Sequence, residues 1–170
     1  MLDLGGRIGL FGVFARERWD VTAIRSYEPD PRNREMLRAT PAPFAEWEVT
    51  AAAVSNSEGV AHFAAGLSSE SRVTGDGADT ITVPIVDFFA QPSADLVKID
   101  IEGSEWPILT DPRLAEISAR VIVMEWHALG CPEQDAAACA RRLLHAAGFT
   151  GQHHDAPRKG NGLLWAWRTS

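Results

Sequence analysis

The chain has 170 residues, of which 45% are hydrophobic and 23% are charged. This size and composition are typical of one folded domain, so we expect a single domain over residues 1–170 and exclude a disordered chain. The formal net charge of -7 repels a phosphate backbone, and no basic stripe offsets it. We therefore expect no nucleic-acid partner.

The sequence also argues against a membrane protein and against a disulfide-rich protein. No apolar run approaches the roughly 20 residues of a membrane helix. The apolar stretch at residues 8–15 lacks the basic segment and the cleavage site of a signal peptide. Cys131 and Cys139 are too few for a disulfide framework or a four-ligand zinc site, so we expect both to be reduced. These features predict a cytoplasmic protein with no membrane partner.

The first 40 residues contain two strand–helix steps. Residues 1–4 are mostly apolar and run into a pair of glycines, after which apolar residues recur at helical spacing over 8–15. Residues 21–27 alternate between apolar and polar side chains, as a strand does. Asp30 and Pro31 then fit the N-cap and the first position of a second helix.

The middle of the chain is richer in strand signals. Residues 48–54 predict one strand, and residues 60–64 predict a return strand after a turn. Residues 68–79 are polar, contain glycine and have no apolar period, so we expect a loop that serves as a lid and shapes the acceptor pocket. Ordered structure resumes over residues 81–89.

The last third alternates again between strands and helices. Residues 95–101 and 121–126 have the apolar density of buried parallel strands. A helix begins at Trp106, and residues 133–147 form the best helix pattern, which Gly148 ends. The chain closes with a strand over residues 162–168, and its alternation places three large side chains on one face: Leu163, Trp165 and Trp167.

This alternation predicts an α/β fold with an open, mostly parallel sheet that helices cover on both faces. Ligands of such sheets bind at the carboxyl ends of the strands. The residues that can carry chemistry follow predicted strands, so we expect them to meet at this edge.

A glycine-rich segment follows the first strand and reads DLGGRIG over residues 3–9. Glycines there allow a sharp turn and a close approach of a ligand. Their spacing does not satisfy G-x-G-x-x-G, which disfavours a nicotinamide-dependent oxidoreductase. Glu28 ends the next strand, where a carboxylate can accept ribose hydroxyls. We interpret Glu28 as a ribose ligand, and a solvated turn residue is the alternative.

Five blocks, in the same order, resemble the FkbM family of S-adenosylmethionine-dependent methyltransferases, which are usually O-methyltransferases. The blocks are LDLGGRIG (2–9), YEPDP (27–31), AVS (53–55), VKIDIEGSE (97–105) and EWH (125–127). Of these blocks, VKIDIEGSE is the most specific for the family. The resemblance implies a Rossmann-like class I methyltransferase sandwich whose sheet has seven strands, the last of them antiparallel.

The same resemblance implies S-adenosylmethionine as the cofactor. The positions that match the family's cofactor segments are Asp3, Gly5, Gly6, Gly9, Glu28, Ser55 and Asp100. Family members normally have a longer first strand and preceding helical structure, so we expect an N-terminally truncated form of the fold. Arg7 replaces a small or amide residue, and it either pairs with the methionine carboxylate or obstructs the pocket with its bulk.

The resemblance also directs attention to two strand ends. A hydroxyl attacks a methyl donor poorly unless its proton is removed, and Asp100, Glu102 and His127 can assist as catalytic residues, with Glu125 beside them. The structural alternatives are a helix cap for Asp100, a turn residue for Glu102 and a loop histidine for His127. A divalent metal held by some of these groups would also acidify a hydroxyl. The spacing matches no zinc signature, so we do not expect a metal.

These observations predict an O-methyltransferase that acts on a hydroxyl of a small molecule, a sugar or a natural product. The alternative is a non-catalytic methyltransferase-like domain that binds a ligand or partner. Trp106 and Trp126 fit either the substrate pocket or the core. We also expect a homodimer, because truncation leaves apolar surface less well covered on three residues: Leu2, Ile8 and Phe11.

Overall fold

The computed structural model describes residues 1–40, 46–64, 73–74, 80–155 and 160–169, with the backbone alone at 63, 64, 73, 74 and 80. The helices are α1 (Leu10–Trp19), α2 (Pro31–Ala39), α3 (Trp106–Thr110) and α4 (Ala136–Ala146). The strands are β1 (Leu2–Leu4), β2 (Ile24–Tyr27), β3 (Trp47–Thr50), β4 (Ala53–Ser55), β5 (Gly59–Ala64), β6 (Val73–Thr74), β7 (Thr80–Asp87), β8 (Leu96–Ile99), β9 (Val121–His127), β10 (Gly151–His154) and β11 (Asn161–Trp167). Of the helices described, none combines the length and the apolar character needed to cross a bilayer.

The large sheet has seven strands in the order β10-β11-β9-β8-β1-β2-β3. The five strands from β9 to β3 pair in parallel. The last strand, β11, runs antiparallel to both β9 and β10. The predicted α/β class, the mostly parallel sheet and the antiparallel last strand are therefore confirmed.

A second sheet of four strands, in the order β4-β7-β5-β6, was not predicted. The single strand expected over residues 48–54 is two strands, because β3 pairs with β2 in the large sheet whereas β4 pairs with β7 in the second sheet. The predicted lid at residues 68–79 lies outside the described residues except for β6, which pairs with β5.

Helix ends follow the expected capping chemistry. The Asp30 side chain accepts a hydrogen bond of 2.8 Å from the Arg32 N–H at the start of α2, and Pro31 is its first residue. Gly148 has φ 91° after α4, as a terminating glycine does. The α4 helix starts at Ala136 rather than at residue 133, because the Asp135 side chain caps it through the Ala138 N–H.

Helices cover both faces of the large sheet. Leu164 is fully buried in the core that includes Leu144 of α4. The ring of Trp165 lies 5.6 Å from that of Trp19 at the end of α1. Because neighbouring strand residues point to opposite faces, α1 and α4 lie on opposite sides of β11. The face of β11 that was predicted to carry the large side chains therefore lies on the α1 side of the sheet. The opposite face of β11 is more deeply buried and carries smaller residues.

Leu2 was one of three residues whose apolar surface was expected to be poorly covered, and the structure differs there. Leu2 is buried in the main core and is not poorly covered. The exposed apolar side chains of α1 include Leu10 and Phe14, at 70% and 50% exposure. An apolar contact between chains would therefore involve the outer side of α1 rather than the first strand.

A polar row crosses four strands of the large sheet. Asp3 pairs in register with Lys98 on one side and with Ser26 on the other. Ser26 Oγ donates to Asp3 Oδ2 at 2.9 Å and accepts from Trp47 Nε1 at 3.0 Å. Lys98 Nζ lies 3.4 Å from Asp3 Oδ1. This row places an ion pair in the interior, directly below the carboxyl ends of β1 and β8.

Lys98 connects that row to the loop above it. Its Nζ donates to the Gly5 carbonyl at 2.5 Å and lies 3.4 Å from Asp100 Oδ2. Burial alone would lower the pKa of Lys98, but the two neighbouring carboxylates outweigh it and raise the pKa. Lys98 therefore stays charged and holds the start of the glycine loop beside the end of β8.

Gly12 is expected to be intolerant of a side chain although it lies within a helix. A Cβ there would lie 2.4 Å from two ring atoms of Trp47. Gly12→Ala should destabilise the protein by about 1–3 kcal/mol in urea unfolding, because overpacking exceeds the gain in helix propensity. The control is Gly59→Ala, where a Cβ meets nothing within 4 Å, and it should stay within about 0.5 kcal/mol. Equal stabilities of the two variants would contradict this packing.

Lys98→Met should destabilise the protein by about 3–5 kcal/mol in chemical denaturation, because it leaves the Asp3 carboxylate buried without a cation. Arg25→Met is the matched control, since it breaks an exposed pair with Glu48 at 2.8 Å. That variant should unfold close to the parent midpoint. A Lys98→Met protein with the parent midpoint would show that the buried pair contributes nothing to stability.

Candidate active site

The structure brings most of the predicted site residues to one edge of the large sheet. Residues 5–9, here called the glycine loop, follow β1, and Glu28 follows β2. Asp100 follows β8, and His127 is the last residue of β9. Because β9, β8, β1 and β2 are parallel neighbours, these four positions lie in a row along the carboxyl edge.

Packing explains why the glycine loop needs its glycines. Gly5 has φ 78°, and a Cβ there would lie 1.9 Å from the Asp100 carbonyl oxygen. Gly9 has φ 85°, and a Cβ there would lie 2.9 Å from the Thr40 side chain beyond α2. The Gly5 and Gly6 N–H groups both donate to the Tyr27 carbonyl at 3.0 Å. The loop is therefore held against β8, β2 and the end of α2.

Glu28 is buried, with 4% of its surface exposed. Its Oε2 accepts the Arg7 N–H at 2.7 Å, and its Oε1 accepts the Asp30 N–H at 2.8 Å. Burial raises the pKa of Glu28, although these hydrogen bonds oppose the shift. The alternative of a solvated turn residue is wrong. The Asn33 side chain supplies a further hydrogen bond to this carboxylate, which leaves one of its roughly four lone-pair sites for another donor.

A groove of about 440 Å³ opens beside the glycine loop, on the face of the sheet that α1 partly covers. Its polar lining includes Arg7, Asp100 and Glu125, and its apolar lining includes Phe11 and Trp165. Arg7 is exposed and has φ 49°, a left-handed conformation that few side chains adopt. The groove offers charged groups of both signs next to an apolar wall.

Carboxylates and a histidine meet at the ends of β8 and β9. Asp100, Glu102 and His127 each offer one ligand atom within 4.8 Å of the others. His127 Nε2 lies 3.3 Å from Glu102 Oε2 and 4.0 Å from Glu125 Oε1. We call these four residues and Glu105 the carboxylate–histidine cluster, so that its members are Asp100, Glu102, Glu105, Glu125 and His127.

Glu105 belongs to this cluster but was not singled out in the sequence. Its side chain is fully buried, and its Oε1 accepts the N–H groups of Ile101 and Gly103 at 3.3 and 3.1 Å. The same oxygen lies 2.9 Å from His127 Nδ1. Glu105 therefore orients the imidazole. The signal that the sequence offered for Glu105 was its place as a charged residue at the end of the block 97–105, directly before Trp106.

Charge neighbours alter the protonation of the cluster. Burial would lower the pKa of His127, but the bond to Glu105 and the charges of Glu105, Glu102 and Asp100 raise it to about 9. Burial raises the pKa of Glu102 to about 7, against the opposing effect of His127. Near neutral pH, His127 holds its proton and Glu102 is the group able to gain or lose one.

The structure excludes the structural alternatives for Asp100 and His127, whereas Glu102 does lie in a turn. Asp100 does not cap α3, since the side chain faces Lys98 and no side chain caps that helix. Glu102 has φ 55°, so the turn holds it in a left-handed conformation. His127 lies within β9 and not in a loop.

Four other candidates lie away from this edge or inside the core. Asp3 is buried in the polar row. Ser55 lies in the second sheet, and no hydrogen bond among the described residues joins it to the glycine loop. Trp106 and Trp126 are both buried, so the core reading applies to them. Trp106 Nε1 donates to the His127 carbonyl at 3.0 Å and fixes the end of β9.

Comparisons with solved structures identify the fold. Methyltransferase FkbM from Methylobacillus flagellatus KT is similar over 98% of this chain and 43% of its own, with 17% identity and a TM-score of 0.63. Precorrin-6y C5,15-methyltransferase from Geobacter metallireducens GS-15 is similar over 99% of this chain and 79% of its own, with 15% identity and a TM-score of 0.55. A dimethyladenosine transferase from Plasmodium falciparum is similar over 99% and 54%, with 10% identity and a TM-score of 0.53. At these identities the likeness shows the class I methyltransferase fold alone.

Sequence comparison gives the family. No curated protein matches the chain at a significant level. The family profile described as "Methyltransferase FkbM domain" matches residues 3–150, which include the glycine loop, Glu28 and the whole carboxylate–histidine cluster. The chain spans 43% of the length of the Methylobacillus FkbM structure. A match over most of the chain shows that this protein belongs to the FkbM methyltransferase family.

Proposed function

We propose that the chain binds S-adenosylmethionine and transfers its methyl group to a hydroxyl of a small-molecule, sugar or natural-product acceptor. The observation that carries this proposal is the contact between the glycine loop and the carboxylate–histidine cluster. The backbones of Gly5 and Asp100 approach so closely that no Cβ fits between them. A methyl donor held on the loop would therefore face the groups that can accept a proton.

The edge of the sheet offers a place for each part of the cofactor. The Glu28 carboxylate, held by the N–H groups of Arg7 and Asp30, is placed to accept a ribose hydroxyl. The groove beside the loop fits the methionyl end, because Arg7 can pair with its carboxylate while Asp100 and Glu125 can face its ammonium group. Adenine would then lie beyond Glu28.

The chemistry of the cluster suits oxygen as the acceptor atom. An acceptor hydroxyl loses its proton as its oxygen attacks the methyl carbon, the carbon–sulfur bond breaks, and S-adenosylhomocysteine leaves with the bonding electron pair. The cluster carboxylates can take the proton, and Glu102 is suited to this because its pKa lies at about 7. His127 stays protonated near neutral pH and helps to hold Glu102 in place.

Glu28→Gln should weaken S-adenosylmethionine binding by about ten- to a hundredfold in calorimetric titration, because the ribose hydroxyls lose a charged acceptor. Glutamine keeps the shape and one oxygen acceptor for the neighbouring N–H groups. Glu48→Gln, on the exposed surface of β3, is the control and should bind as the parent does. An unchanged affinity in Glu28→Gln would remove Glu28 from the cofactor site.

Methyl transfer itself is tested with a panel of hydroxyl acceptors, by measuring S-adenosylhomocysteine release and the methylated product by mass spectrometry. For an acceptor that the parent turns over, Asp100→Asn should lower the rate by about 10²-fold or more, because it removes the charge that faces the reacting atoms. Asp155→Asn, an exposed carboxylate near His153, should keep the parent rate. A parent that binds the cofactor but methylates no acceptor would support a binding domain without catalysis.

A further inference from the structure

Three side chains of the cluster combine two kinds of metal ligand on two strand ends. Asp100 and Glu102 offer carboxylate oxygens, and His127 offers an imidazole nitrogen, all within 4.8 Å of one another. Ligands of one cation lie about 2.1 Å from it and hence roughly 3–4 Å from each other. The Glu102–His127 separation of 3.3 Å falls in this range, and the widest pair would have to close by up to about 0.8 Å to reach it.

Glu105 supplies the support that a metal-binding histidine needs. A histidine ligand almost always gives its other ring N–H to a carboxylate or carbonyl, which fixes the ring and exposes the second nitrogen. His127 Nδ1 lies 2.9 Å from the fully buried Glu105 carboxylate, so Nε2 faces Glu102 and gives up its proton when a cation binds. Glu105 Oε2 is buried without a hydrogen-bond partner among the described residues. One oxygen of this carboxylate therefore holds the imidazole, while no described residue satisfies the other.

Charge balance at this corner also favours a cation. Among the described residues, five carboxyl groups lie within 4.0 Å of just two basic side chains, Lys98 and His127. The carboxyl groups are those of Asp3, Asp100, Glu102, Glu105 and Glu125. A divalent ion would offset the remaining negative charge.

We propose that Asp100, Glu102 and His127 bind one first-row divalent cation, for which Mn²⁺ is the probe. Carboxylate oxygens suit Mn²⁺, and the imidazole favours a transition metal over Mg²⁺ or Ca²⁺. Three protein ligands leave positions open to solvent, since the Asp100 and Glu102 side chains are 29% and 32% exposed. Glu105 acts through His127 as a positioning residue.

This site deepens the proposed function, and only its catalytic role rests on that function. With a cation bound, Glu102 would act as a ligand instead of a free base, and an acceptor hydroxyl at an open position would be acidified and oriented toward the methyl donor. The acceptors would then be alcohols that can bind the cation through one oxygen or through two neighbouring oxygens. Cofactor binding relies on the glycine loop and Glu28, so it should not require the cation.

The test is a titration of chelator-treated full-length chain with Mn²⁺, in which electron paramagnetic resonance measures the free ion. The parent should bind one ion per chain. Asp100→Asn and Glu102→Gln should each weaken binding by at least about tenfold, and Glu105→Gln by about 10–100-fold. His153→Gln, in the exposed His153–Asp155 pair, is the matched control and should bind as the parent does. Circular dichroism confirms that each variant is folded, and Glu102→Gln, the most exposed of the three ligands, is the variant least able to disturb the fold.

Two results would overturn the proposal. One is a parent that binds no more Mn²⁺ than the Asp100→Asn and Glu102→Gln variants. The other is a Glu105→Gln protein with parent affinity, which would remove the positioning role. Calorimetry with S-adenosylmethionine in the presence of chelator separates this proposal from the proposed function. Cofactor binding without Mn²⁺ binding rejects the cation site alone, and Mn²⁺ binding without cofactor binding rejects the methyltransferase function alone.

Discussion

The buried pair of Asp3 and Lys98 is the constraint on which the arrangement of this edge depends. The two residues lie in register on adjacent strands in the middle of the large sheet. A charge in that position is tolerated only with its partner, so β1 and β8 cannot slip relative to each other without a large loss of stability. Lys98 also binds the Gly5 carbonyl and faces Asp100. One ammonium group therefore fixes the register of the sheet and the position of the loop above it.

The glycine loop follows from that register. With β1 and β8 fixed, the loop leaves β1 against the Asp100 backbone, and only glycine fits at residue 5. Glu28 then joins the loop to the β2–α2 turn through two backbone N–H groups. A buried carboxylate that is already held by the backbone is preorganised to receive further donors, which is the property that a cofactor site needs.

The carboxylate–histidine cluster is assembled in a different way. Residues 100–105 form a tight turn that brings three acidic side chains together over a short length of chain. His127 comes from the next strand, and Glu105 and Trp106 hold its ring and its carbonyl in place. Burial, assisted by neighbouring carboxylates, raises the pKa of Glu102, and the negative charge around His127 raises its pKa in spite of burial. This concentration of charge is costly in the folded state, and a proton or a cation relieves it.

Local periodicity, capping residues and the rule that parallel strands end together were enough to predict the sheet class and the edge at which Glu28, Asp100, Glu102 and His127 lie, and the resemblance to a known family supplied the antiparallel last strand. The tertiary structure alone decided three other features. It divided residues 48–54 between two sheets, because β4 finds a partner in β7. It buried Glu28, for which a solvated turn had been the alternative, and it revealed Lys98 and Glu105 as the residues that hold the site. These features depend on contacts between residues far apart in the chain, and a local pattern carries no information about which distant group will satisfy a buried charge.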